Sequence, residues 1–304
     1  MTRELVVPAP FSLELAVRSH GWYQCPPFRW DEERAVLIRG ERRPDGDLLL
    51  RTRQPGRDRL VVEVVGAADD DVVDEAVAAM QRMLRLDEDL AGFQRMARDK
   101  PDIARAVAAG WGRILRGSSL WEDVSKALLG TNVQWRQAVQ MIRRLAALGP
   151  SSTHEPGLSL VASPREVLDA GEQGLRDQVR CGYRAGSLIK LAAGALDGTY
   201  DLEGLDAAAA AMSLADVEQR LLALPGIGPA TAAYLLTFLG HYDKATVDSA
   251  TVAYAAHRYY GGEKRSLAEV SALFEHYAPY RALGSWCEVW SYWIGEKERR
   301  DGGG

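Results

Sequence analysis

Between residues 10 and 66 apolar and polar positions alternate along the chain. Phe11 to Val17 alternates, Ala35 to Arg39 and Leu48 to Arg53 flank the turn Pro44-Asp45-Gly46, and Leu60 to Val65 adds a β-branched run. Alternation places successive side chains on opposite faces of a strand, and a Pro/Gly turn between two such runs makes a hairpin. An antiparallel sheet is therefore predicted, with Phe11, Leu13 and Leu15 facing inward. From Asp71 the spacing changes: Val72, Val73, Ala76, Met80, Met83 and Leu84 recur at helical intervals, and helical patterning broken by turns continues almost to the end. The chain reads as mainly α with an N-terminal α+β domain. An antiparallel-sheet domain spans 1–88 and a two-lobed helical body spans 89–304.

Three helix starts are marked by side chains that can satisfy free backbone amides. Ser163-Pro164-Arg165-Glu166 and Ser266-Leu267-Ala268-Glu269 fit the reciprocal capping box, and Ser213-Leu214-Ala215-Asp216 is a near variant. The alanine run Ala207 to Ala211 reads as helix or loop, and disorder is expected only at the ends, chiefly from Arg299 to Gly304.

Composition narrows the class. The 304 residues, 47% hydrophobic and 26% charged, suit a water-soluble protein of about two domains. No apolar run nears the roughly 20 residues of a bilayer-spanning helix, and no basic segment followed by a hydrophobic stretch opens the chain, so a cytoplasmic protein without membrane partners is expected. Cys25, Cys181 and Cys287 are too scattered for a disulfide framework or an iron–sulfur ligand set. The five histidines form no zinc-type pair. A net charge of -5 describes the average surface only. Arg113, Arg116, Arg136, Arg143, Arg144, Arg180 and Arg184 are expected to form a basic face on an otherwise acidic molecule.

The chemistry concentrates in two motifs. Leu224-Pro225-Gly226-Ile227-Gly228 lies between apolar helices expected at 217–223 and 230–239. Two glycines around one aliphatic residue allow a tight hairpin whose amides, at the positive end of the second helix, can face an anion. A dinucleotide site would demand a preceding strand and a third glycine where Thr231 stands. Farther on, Lys244-Ala245-Thr246-Val247-Asp248-Ser249 leads into another helix, with Asp248 at its N-cap.

Together the hairpin LPGIG and the VDS that follows resemble the helix-hairpin-helix DNA glycosylase superfamily. Further segments carry the likeness. Leu120 to Gln134 resembles the stretch that enters the duplex gap, and Gly182-Tyr183-Arg184-Ala185 is similar to the 8-oxoguanine glycosylase branch. Tyr280 to Trp293 and the sheet-then-helices layout look like the bacterial 3-methyladenine glycosylase II branch. The resemblance implies that Gly226, Ile227, Gly228 and Thr231 grip a DNA phosphate. By the same resemblance Asn132, with Val133 or Gln134, plugs the hole left by a rotated nucleotide, Arg184 contacts the widowed base, and Asp248 serves catalysis. Trp286, Trp290 and Tyr183 are candidates for the base pocket. The backbone carbonyls of Leu222, Leu224 and Ile227 are the positions that would hold a sodium or potassium ion. No other cofactor is called for.

Ala230 aligns with the lysine that bifunctional members use as an amine nucleophile, so the implied reaction is hydrolysis without strand cleavage, on an alkylated or otherwise damaged base in double-stranded DNA. A monomer is expected. Two alternatives stay open: a lyase-competent 8-oxoguanine enzyme, in which Lys244 would have to substitute, and a DNA-structure-binding protein without catalysis.

Overall fold

The computed structural model describes residues 1–301, with side chains to Trp293; residues 302–304 lie outside the described residues. Five antiparallel strands, β1 (Thr2–Val6), β2 (Phe28–Asp31), β3 (Val36–Arg43), β4 (Gly46–Gly56) and β5 (Arg59–Val65), form one sheet in the order β1-β5-β4-β3-β2. The hairpin turn at Pro44-Asp45 joins β3 to β4, with Arg43 opposite Gly46. Alternation sorts the strands as predicted. Leu37, Leu48, Leu50, Leu60, Val62 and Val64 enter one core with α1 (Leu13–Val17) and α2 (Asp70–Met83). Ile38 and Leu49 on the opposite face pack against Leu158, from the segment between residues 147 and 163.

One sequence expectation is corrected here. Phe11 to Val17 does not form a strand: Ser12 accepts the amide of Leu15 and caps α1, and Leu13, Ala16 and Val17 are buried at helical spacing. A stretch this short matches both periods, and packing on the sheet chose the helix. The disorder expected from Arg299 to Gly304 falls outside the residues described with side chains.

Twelve more helices follow: α3 (Ala91–Arg98), α4 (Pro101–Ala108), α5 (Leu120–Gly130), α6 (Trp135–Ala146), α7 (Pro164–Gly174), α8 (Arg184–Asp197), α9 (Leu202–Ala208), α10 (Leu214–Leu222), α11 (Pro229–Phe238), α12 (Ser249–Tyr259), α13 (Leu267–Ala272) and α14 (Arg281–Asp301). Both capping boxes form, on α7 and α13, and Ser213 caps α10. The helical core draws Trp22 and Cys25 from the N-terminal segment, so the chain before residue 28 belongs to both cores. Among the described residues no helix is long and apolar enough to cross a membrane.

A buried ionic cluster fixes the sheet to the helices. Arg39 of β3 makes paired hydrogen bonds of 2.9 Å to both oxygens of Glu122 on α5, whose Oε1 also accepts from Lys126 at 2.5 Å. Burial alone would raise the Glu122 carboxyl, but Arg39 and Lys126 hold it at about 2.

Candidate active site

The hairpin is anchored by Leu224 and Ile227, both buried, while Gly226 is exposed and Gly228 half-exposed. Gly226 has φ +77, and a Cβ there would lie 2.7 Å from Leu128 Cδ1 and 2.8 Å from Ser187 Oγ. Only glycine fits this left-handed position against α5 and α8. Gly228 begins α11 without a side-chain cap, and Pro229 at the first position brings no N–H. The first amides of α11, through Thr231, are thus left for an external acceptor.

Asp248 is the N-cap of α12. Its Oδ1 accepts from the Thr251 amide and the Thr251 hydroxyl, both at 2.8 Å, and Thr251 Oγ1 also lies 3.3 Å from the Thr246 carbonyl. One carboxylate oxygen is therefore held by two donors, and the exposed side chain keeps Oδ2 for other partners. Asp248 is near enough to Tyr234 of α11 to add to the rise of its phenol pKa, which burial causes first and the Asp123 and Cys25 charges augment.

Tyr234 belongs to an aromatic cluster drawn from three parts of the chain. Its ring stacks on Trp286 of α14 at 5.2 Å and 20°, and Phe238, one helical turn on, lies 4.6 Å from it edge to face. His20 and Trp22 close the cluster from the N-terminal segment, and the Trp286 indole donates to the Ser19 carbonyl at 3.0 Å. Trp290, one turn beyond Trp286, packs like it against the helical core, and its buried Nε1 has no partner among the described residues.

A second group forms around the loop after α5. Asn132 is exposed at φ +47, a conformation asparagine tolerates better than most residues; Val133 is half-buried against the core, and exposed Gln134 precedes α6. Tyr183, 65% exposed, lies here, apart from the cluster around Trp286. Asn132 first, and Thr131, lower its phenol pKa by hydrogen bonding. The Arg184 guanidinium lies 4.6 Å over the Tyr183 ring and is buried. It donates to the Thr131 carbonyl and hydroxyl and to the Cys181 carbonyl, so it braces the loop after α5.

The expected basic face is also smaller. Arg113 is buried against the carbonyls of Arg85 and Glu88, and Arg116 pairs with Asp123 and Asp206. Arg136, Arg143 and Arg180 remain exposed, with Arg144 half-buried. The three cysteines are buried and unbridged, and among the described residues no His, Cys, Asp and Glu side chains group as a metal site.

Sequence reasoning missed His20, Trp22, Tyr234 and Phe238. The i, i+4 aromatic pair on α11 was a usable signal; nothing in the sequence ties His20 and Trp22 to a helix more than two hundred residues away.

No family model matches the sequence, and no curated protein matches it. Solved structures do. The 3-methyladenine DNA glycosylase of Archaeoglobus fulgidus superposes with a TM-score of 0.76 at 17% identity, over 96% of this chain and 99% of that one. The 8-oxoguanine glycosylase/lyase of Clostridium acetobutylicum, bound to duplex DNA with cytosine opposite 8-oxoguanine, gives 0.75 at 15% identity over 98% of both chains. MBOgg1 in complex with a low-affinity DNA ligand gives 0.76 at 18% over 97% and 96%. The chain has the fold of the helix-hairpin-helix DNA glycosylases, through both the sheet and the helices.

Proposed function

We propose that the protein is a monofunctional DNA glycosylase, which rotates a damaged base, of the alkylated class, out of duplex DNA and hydrolyses its N-glycosidic bond. The observation that carries this reading is Asp248, exposed, with one carboxylate oxygen fixed at the start of α12 and its charge felt by Tyr234 of the aromatic cluster. As the glycosidic bond lengthens, positive charge builds on the sugar, and a carboxylate held in place stabilises it or orients the attacking water. The uncapped start of α11 binds a DNA phosphate, Asn132 fills the vacated stack with Val133 and Gln134 beside it, and Trp286 and Tyr234 offer flat surfaces to the base. The sheet domain, 1–88, contributes His20 and Trp22 to the site of the helical body, 89–304. The protein acts as a monomer without an iron–sulfur cluster.

Hydrolysis is favoured over lyase chemistry by the side chains at hand. Ala230, exposed on the first turn of α11, offers no amine, and Lys244 is paired with Glu218 of α10. Backbone carbonyls are the donor type that suits a sodium or potassium ion, and those of Leu222, Leu224 and Ile227 would hold it. The Leu224 carbonyl already accepts from the Ile227 amide at 3.2 Å. Such an ion would supply positive charge at the hairpin.

The test is strand scission of duplexes that each carry one candidate lesion, with and without hot alkali. Breaks only after alkali support the reading; breaks without alkali, with borohydride trapping of a protein–DNA adduct, would replace hydrolysis by lyase chemistry.

A further inference from the structure

His20 is buried and makes two hydrogen bonds. Its Nε2 lies 2.5 Å from the Leu115 carbonyl oxygen and its Nδ1 lies 3.1 Å from the Tyr234 hydroxyl. A carbonyl only accepts, so Nε2 carries the proton. The rings of Trp22, Tyr234, Phe238 and Trp286 surround the imidazole at 5.1 to 6.0 Å, and among the described residues no carboxylate pairs with it to support a second proton. Burial first, with the Lys126 charge in addition, lowers its pKa to about 3 against the raising effect of the Leu115 carbonyl. Nδ1 therefore presents a bare lone pair, and the Tyr234 O–H donates to it. The phenol proton is committed, and Tyr234 Oη retains only lone pairs for a guest.

We infer that His20 sets the specificity of this site by locking the Tyr234 hydroxyl as an acceptor, so that an entering base must present an N–H to it. The inference rests on the glycosylase reading above. An ordinary hydroxyl rotates to donate or accept and discriminates little. One whose proton is held by a tautomer-fixed imidazole sets lone pair against lone pair when the base edge offers only acceptors. The class selected is a base with an amino or ring N–H on its edge; the class disfavoured has none. His20 is a positioning residue, acting through Tyr234.

The experiment compares single-turnover excision of hypoxanthine, which carries a ring N–H, with that of 1,N6-ethenoadenine, which carries no base N–H, from otherwise identical duplexes. Since losing one buried hydrogen bond costs about tenfold, the wild-type ratio favours hypoxanthine and drops about tenfold in Tyr234→Phe and in His20→Leu. His20→Gln, whose amide can accept from Tyr234 and donate to Leu115, keeps most of it. An unchanged ratio in Tyr234→Phe and His20→Leu, with excision intact, overturns the inference and leaves the glycosylase reading standing. A wild-type protein that releases neither of these bases nor any alkylated base overturns both. Nitrogen-15 NMR of the labelled histidines checks the premise without any activity: an Nε2–H tautomer for His20 supports it, and an Nδ1–H or doubly protonated ring overturns it.

Discussion

Asp248 has two separable roles, and substitution distinguishes them. As a cap, Oδ1 takes the Thr251 amide and hydroxyl at 2.8 Å each. Asparagine keeps a carbonyl oxygen there, and the two residues rank equally at N-caps, so Asp248→Asn loses only the charge–dipole part, about 0.5 kcal/mol. Asp248→Ala loses both bonds, about 1–2 kcal/mol. As a catalytic charge the arithmetic differs: a carboxylate about 4 Å from a developing cation is worth about 4 kcal/mol at an effective dielectric of about 20, or about a thousandfold in rate. Urea unfolding of the three proteins measures the first quantity, and single-turnover excision measures the second. The expected pattern is a nearly native Asp248→Asn that excises about a thousandfold more slowly while binding damaged duplex as before. An Asp248→Asn protein excising within about tenfold of wild type would refute the reasoning and leave Asp248 as a helix cap.

Three further outcomes follow from the geometry. Gly226→Ala combines a left-handed backbone, costing about 1–2 kcal/mol, with the close approach to Leu128 and Ser187, and lowers the urea midpoint; Gly228→Ala, whose Cβ meets nothing within 4 Å, stays stable but binds duplex DNA more weakly in a fluorescence-anisotropy titration. Glu122→Gln leaves Arg39 and Lys126 buried with less counter-charge, at a cost of about 3–5 kcal/mol in chemical unfolding. His20, with a folded pKa of about 3 against an ordinary 6.5, binds a proton only on unfolding between those values. Its stabilising contribution is complete above pH 6.5 and falls as pH drops through that window, by about 1.4 kcal/mol per unit. Asp123, raised to about 6 by burial first, acts oppositely between 3.8 and 6, so the His20 share is read as wild type minus His20→Gln.

The sequence by itself determined the elements whose causes are local. Capping at Ser163, Ser213, Ser266 and Asp248 depends on side chains three residues from the amides they satisfy, and the two glycines of the hairpin specify its turn. The Pro44-Asp45 hairpin and the long amphipathic α2 were legible for the same reason. Where two local periods fit, as at Leu13 to Val17, packing decided, and β1 was hidden because its residues are all exposed or half-exposed. Only the tertiary structure could tell which arginines remain outside: Arg136 stays exposed, whereas Arg184, equally polar in sequence, is turned inward by the Thr131 and Cys181 carbonyls. The aromatic cluster was likewise beyond reach. His20, Tyr234 and Trp286 share no periodicity, and what joins them is the docking of the N-terminal segment against α11 and α14, a non-local contact fixed by burial and by which buried polar atoms can find partners.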